Sequence, residues 1–499
     1  MTTSFNPAAP ARAAGAPTAA PAPPSPPASP VTKPHLGTLL VVLTGTFMGG
    51  LDFFIVNVAI PSMQIDLTAS AAAMQFVIAG YALAFGSGMI LGGRLGDIYG
   101  RRRVFIAAMA VFTLASAACG VAPNVEILIV ARLLQGAAAA VMSPQVLTIL
   151  GTTYTGEARA RAINAYGMAM GISAVFGQLI GGLLIKGDVF GLGWRACFLI
   201  NIPIGLVAIL LAPRWVPESR APGRPRLDVV GTFIVTAALV AVVLPLIEGR
   251  EQGWPLWSWL LLAAAVPLFA LFAVYERAAA RRGASPLIDL SLFRERAFTA
   301  GLLAQVVFWT GQASFFLVFA IYVQQGRGLD ALEAGLIFVA IGGGYMATSM
   351  TARHVAARLG RQVIALGGVL RMIALTAMVI ILYAASSDVS LGWLIPALIL
   401  DGAGMGLAVA PLAATVISRI TPAHAGSATG VLTTGVQIGN ALGVALIGVI
   451  FYDIIGDGAD LETFTDAFRT SLFFLIGIGA ALALLVQLLP RVPRGAGGR

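Results

Sequence analysis

Fourteen separate stretches of roughly 17–26 mostly apolar residues fill this chain between Gly37 and Pro490, each near the length a helix needs to cross a bilayer. Inside hydrocarbon the backbone must satisfy itself, which leaves helices or closed barrels, and runs this long select helices. The chain therefore reads as an all-α polytopic membrane protein with 14 transmembrane helices. Its composition agrees. Of 499 residues 58% are hydrophobic and 11% charged, against about 25% charged in soluble proteins. The excess of 31 bases over 22 acids is assigned to loops that fix orientation, not to nucleic acid. Both lysines, Lys33 and Lys186, precede Pro and Gly, so no Walker A loop exists and ATP hydrolysis by this chain is excluded.

The spans are placed at 37–60, 74–96, 104–122, 127–150, 163–185, 196–213, 228–247, 256–275, 298–322, 333–352, 363–384, 390–416, 426–452 and 470–489. Alternate connections hold the arginines: Arg101 to Arg103, Arg159 and Arg161, Arg214 to Arg226, Arg277 to Arg296, Arg353 to Arg361, Arg419, and Arg491 to Arg499. The other connections are poor in bases and hold Asp66, Glu126, Asp388 and the run Asp453, Asp457, Asp460, Glu462 and Asp466. The positive-inside rule puts both termini in the cytoplasm, and an even span count requires the same. Residues 1–33, rich in Pro and Ala, read as a disordered cytoplasmic tail without a signal-peptide core. Tyr99-Gly100-Arg101 and Leu359-Gly360-Arg361 form a faint repeat. It divides the chain into a six-helix half at 34–215, two inserted helices and a linker at 216–297, a second six-helix half at 298–490, and a short tail at 491–499. Two such halves enclosing a midplane cavity are a known transporter plan.

Cys119 and Cys197 read as small apolar residues, and His35, His354 and His424 are too scattered for a metal site. Closely spaced glycines at 342–344, 402–406 and 435–443 suit tight helix packing, with hinge points as the alternative.

Five motifs in order resemble the major facilitator superfamily, and within it the fourteen-span drug:proton antiporters. Leu51-Asp52-Phe53-Phe54-Ile55-Val56-Asn57-Val58-Ala59-Ile60-Pro61 is similar to that subfamily's first-span signature. Gly92-Gly93-Arg94-Leu95-Gly96-Asp97-Ile98-Tyr99-Gly100-Arg101-Arg102-Arg103 resembles the superfamily's loop between spans two and three. Arg132-Leu133-Leu134-Gln135-Gly136, the segment from Trp194 to Gly205, and Pro286 to Phe293 resemble its fourth-span, sixth-span and pre-ninth-span patterns. The fifth-span motif departs: Gln178 stands where the antiporter pattern has proline. That exchange leaves the glycine contacts but predicts loss of the proline kink, and it weakens the implied direction of export.

Charges inside spans are costly and default to function. Asp52 falls in the outward half of span one and Asp401 near the middle of span twelve. Either could carry a proton or pair with a cationic substrate; the alternative for Asp52 is a structural ion pair with a neighbouring helix, and for Asp401 a neutral carboxyl hydrogen-bonded to a facing helix. Arg132 stays protonated, so it can only tune a neighbouring carboxyl, and the resemblance implies a proton-relay role; an interfacial snorkelling arginine is the plain alternative. In the loop motif, Gly93, Arg94, Gly96, Asp97, Gly100 and Arg101 read as an access latch, the glycines giving a tight turn and the acid pairing with bases across the bundle; a pure topology determinant is the plain alternative. Gln135, Gln178, Asn201, Gln305, Gln312 and Gln437, with Phe54, Phe308, Trp309, Phe315 and Phe316, could line a cavity.

Together these readings point to an inner-membrane antiporter that exports amphipathic or lipophilic cationic compounds against proton uptake by alternating access. No cofactor is expected beyond the proton gradient. The expected partners are the bilayer, the proton and a small amphipathic substrate, with accessory subunits left open. Proton-coupled nutrient import on the same fold, supported by Gln178, is the first alternative, and a non-transporting scaffold or sensor the second. No nucleophile–base, metal or phosphate-loop constellation supports an enzyme.

Overall fold

The computed structural model describes residues 36–220, 227–282, 288, 290–384, 390–417, 425–456 and 460–489. The expectations for the 1–33 tail, the 491–499 tail, His35, Asp289, Asp388, Arg419 and His424 lie outside the described residues. Among those described, every regular element is helical. The first half contains α1 (Leu36–Asp66), α2 (Ala71–Tyr99), α3 (Arg101–Gly120), α4 (Val125–Thr153), α5 (Gly156–Gly187), α6 (Ala196–Leu199) and α7 (Asn201–Trp215). Next come α8 (Val229–Glu251) and α9 (Leu256–Arg281). The rest are α10 (Arg296–Ile321), α11 (Ala331–Leu359), α12 (Gln362–Ala384), α13 (Ile395–Ile417), α14 (Ala425–Ile455) and α15 (Leu461–Gln487). With α6 and α7 joined in one span, Gly193–Trp215, 13 helices are long and apolar enough to cross a membrane. The fourteenth is α5, whose pieces Gly156–Ala174 and Phe176–Gly187 meet at 41°.

That bend corrects the expectation that Gln178 removes a kink. It forms without proline, between Gly171 and Gly177, where the Ser173 hydroxyl donates to the Met170 carbonyl (2.8 Å). A Gly/Ser turn of this kind bends a helix by diverting backbone acceptors.

Most helices also outrun their apolar stretches, because caps set their ends. Ser70, Asn124 and Asp228 cap α2, α4 and α8 through side-chain oxygens. Asp330 and Glu333 form a capping box on α11. Asp460 caps α15, so Glu462 and Asp466 sit on its first turns and not in a connection as expected. Acids favour that position because helix N-termini carry partial positive charge.

Helices α1 to α7 pack on one another, as do α10 to α15, and the two sets meet along α2–α14 and α5–α11. The inserted α8 lies against that first seam, touching both α2 and α14, while α9 packs mainly on α8. Exposed Leu260, Val266 and Val274 leave α9 facing outward, as suits a lipid-facing helix. Glycine seams bring backbones together. A Cβ at Gly439 would lie 2.6 Å from the Val306 carbonyl, and one at Gly367 2.5 Å from that of Gly404. Gly182 and Gly335 do the same between the halves, placing α5 against the start of α11.

Candidate functional site

In the first half, Asp52 is 0% and Arg132 1% exposed, and their side chains form an ion pair. Gln135 donates to the same carboxylate at 2.7 Å and Asn201 at 3.1 Å. Ser116 accepts from both carboxamides (3.1 and 3.0 Å) and donates to the Phe198 carbonyl (2.9 Å). Arg132 also donates to the Val77 carbonyl and stands 4.3 Å over the Tyr81 ring. Every charge here has a partner, as a buried pair requires. Spans one, three, four and six thus converge on a single carboxylate. Gln135 and Asn201, cavity-lining candidates in the sequence reading, both serve this network. Cys119 adjoins it, 3.7 Å from Gln135 Oε1.

The second half has its own pair. Asp401 on α13 accepts from Arg371 Nε on α12 at 2.9 Å, and the guanidinium lies 5.2 Å from the centre of the Phe308 ring. Asp401 and Asp52 therefore do not share a site; each is bound within its own half. Arg371 is absent from the sequence-based set, although a charge in mid-span carries the same signal as Asp52. Phe308 and Phe315 belong to the interior of the second half, the latter stacked on Phe319 at 5.3 Å.

Between the halves lies a narrow recess, lined by Ala174 and Gln178 of α5, Phe316 of α10, Phe338, Ile341, Gly342 and Tyr345 of α11, and Met405 of α13. Phe54 covers it from α1, its ring 5.6 Å from Phe316, which is itself 5.6 Å from Phe338. Gln305, Trp309, Gln312 and Phe316 follow one another at helical spacing along a single face of α10. Gln437 instead bonds to Asn440 at 2.9 Å and packs against Gly86 at the α2–α14 seam.

The halves are joined at the end of the molecule near residues 66–71. Lys186 pairs with Asp330 at 2.7 Å, and Gln325 donates to Gln64 at 3.1 Å. The Lys186 ammonium holds the Asp330 carboxyl below the usual carboxylate range. Toward the Gly100 end α5 and α11 lose their cover: Ile163, Met168 and Met170 on one, Met346 and Met350 on the other, are exposed. The cleft thus closes at the first end and opens at the second.

At that open end the loop motif differs from expectation. Asp97 pairs with Arg101 of its own turn at 2.9 Å, and among the described residues no ion pair joins it to a base across the bundle. Gly100 adopts φ +102°, and the chain docks on the segment after α7: Arg102 N donates to Glu218 (3.1 Å) and Arg101 N to the Ser219 carbonyl (3.0 Å). Gly96 supplies packing, not turning, since Gln145 of α4 fills the space its side chain would need; Gly93 faces Pro144. Arg94 lies in the field of Asp228 and Glu276 of the inserted helices as well as Asp97. Asp228 accepts from Tyr275, and Glu276 from Ile288 N, at 2.9 Å each.

The family profile described as Major Facilitator Superfamily matches residues 42–444 and 301–499. The chain is 38% identical over 427 residues to the probable actinorhodin transporter of Streptomyces coelicolor, covering 84% of this chain and 73% of that one. It is 34% identical over 472 residues to the cephamycin export protein CmcT of Amycolatopsis lactamdurans, covering 91% and 93%. In fold it is similar to a crystal structure of a POT family transporter in complex with a thioalcohol-conjugated peptide. The TM-score is 0.67 at 16% identity, over 91% of this chain and 96% of that one.

Proposed function

The chain belongs to the Major Facilitator Superfamily, is a multi-pass membrane transporter and not an enzyme, and we propose that it exports amphipathic, lipophilic compounds in exchange for protons. Its export direction is supported by the relatives named for transport and export of antibiotics. The Gly100 end is cytoplasmic in this reading, with both termini on the same side, because the arginine-rich connections gather there. The conformation described is then inward-open, ready to load from the cytoplasm or the inner leaflet.

The observation that carries proton coupling is the Asp52 network. A carboxylate held by one guanidinium and two carboxamides in a dry half-bundle is a group whose proton affinity depends on where Arg132 stands. When the halves rock and the pair loosens, Asp52 takes a proton from the outside; when it re-forms at the inward side, the proton is expelled. Asp401 with Arg371 could act likewise in the second half. A lipophilic cation is the second reading of the substrate, favoured by the rings of Phe54, Phe316, Phe338 and Tyr345 around the recess.

The test is substrate-induced proton flux in proteoliposomes with an imposed pH gradient. Asp52→Asn, which preserves shape, is expected to abolish proton movement while substrate binding persists. Unchanged flux in this variant removes Asp52 from coupling, and flux driven by sugars or organic acids alone would replace export with import.

A further inference from the structure

Gln178 is 1% exposed, lines the recess between the halves, and has no protein partner for either Oε1 or Nε2. Burying an unpaired carboxamide is unfavourable at both atoms. The bend one turn earlier could have used it, yet the backbone there is served by Ser173 and not by Gln178. The recess also carries the rings of Phe316, Phe338 and Tyr345 and the thioether of Met405. Among the described residues no carboxylate, guanidinium or ammonium lines the recess, because Asp52 and Asp401 are each bound by an arginine within their own halves. An ion placed here would leave water with no opposite charge to meet, and a cation would also leave the amide N–H donors unmatched.

Resting on the exporter reading, we propose that Gln178 is a specificity-determining contact for a neutral, planar aromatic substrate that presents a hydrogen-bond donor and acceptor side by side. Such an edge, as in a lactam, pairs with both atoms of the carboxamide while its rings lie against Phe316 and Phe338. A site built to pair two polar atoms rejects an analogue that lacks one of them, because its own group is then stranded.

The experiment is equilibrium binding to the full chain in lipid nanodiscs with three probes on related ring systems. Phenanthridinone is a neutral lactam, its N-methyl derivative lacks the donor, and ethidium is a cation. Wild type is expected to prefer the lactam over the N-methyl compound by roughly tenfold. Gln178→Leu, and Gln178→Pro with the residue of the fifth-span pattern, are expected to bind both neutral probes alike. Gln178→Glu is expected to shift preference to ethidium. The proposal is overturned if either neutral variant, unfolding at the wild-type temperature, keeps the lactam preference, if ethidium binds wild type more tightly than the lactam, or if neither neutral probe binds. Proton flux in proteoliposomes scores the exporter reading separately. A chain that binds the lactam through Gln178 but transports nothing refutes export alone; one that exports with selectivity indifferent to Gln178 refutes the contact alone.

Discussion

Arg132 and Arg371 each pair with a buried carboxylate inside the helix bundle, but their surroundings differ. Asp52 accepts from three side chains, whereas Asp401 accepts from one and keeps Oδ2 without a partner. Breaking a buried pair by removing one partner costs about 3–5 kcal/mol, since the other charge is stranded. Arg132→Met should therefore destabilise the protein by about that amount in chemical unfolding, and Asp52→Asn introduced with it should restore most of the loss. Additive losses in that double-mutant cycle would show that the two residues do not act as a pair. Asp401→Asn should be the milder of the two carboxamide changes, because fewer donors are left facing a group that no longer accepts as well. Asp52, Arg132 and Asp401 were legible in the sequence from cost alone, as charges amid apolar runs. Which base meets which acid was not, because Arg132 and Arg371 lie 80 and 30 residues from their partners.

Helix α5 carries the 41° bend between Ala174 and Phe176. Its Gly182 admits the Ala331 backbone so closely that an added Cβ would lie 2.7 Å from Leu332 Cα, in backbone that cannot yield. Gly182→Val should separate α5 from α11 and open the closed end. The measurement is accessibility of a cysteine placed near Gln64 to a membrane-impermeant thiol reagent, on a Cys119→Ala, Cys197→Ala background. Equal labelling with and without the valine would deny α5–α11 its role in closure. The inserted helices also bear on the gate, because Asp228 and Glu276 surround Arg94 of the loop motif. Glu276→Gln should weaken that field while its amide oxygen still accepts from Ile288 N, slowing turnover while leaving ligand binding within about twofold, the small effect typical of a change remote from a site. Transport and binding assays on one preparation separate these effects. Sequence placed this motif at a turn, but only folding brought two acids from a distant insertion beside it.

For the whole molecule, closure near residues 66–71 rests on apolar glycine seams reinforced by half-exposed ions. Pairing with Lys186 holds the Asp330 carboxyl below its ordinary range in the closed form. A depressed carboxylate contributes its stabilisation above the ordinary pKa and loses it only as pH falls through the lowered one. The latch should accordingly be independent of pH between about 5 and 8, well above the ordinary carboxylate range. Lys186→Gln should raise the outward-open population only slightly, the small effect of an exposed ion pair. Distances between spin labels on α5 and α11, measured across that pH range, report the population. A steep pH response in wild type that Lys186→Gln abolishes would instead make this pair the sensor.

The periodic arrangement of long apolar stretches determined the membrane class, the number of spans and the residues too costly to be incidental, because hydrocarbon penalises each polar group wherever it lies along the chain. The arginine-rich connections determined the expected orientation by the same local logic. Tertiary structure alone decided that Gln135 and Asn201 face Asp52 inside one half, while Gln178 faces the recess between the halves. It also bent α5 without proline and closed the cleft at one end. All of these depend on the rotation and close approach of helices, which glycine contacts set between residues far apart in sequence, and no single stretch of apolar residues encodes them.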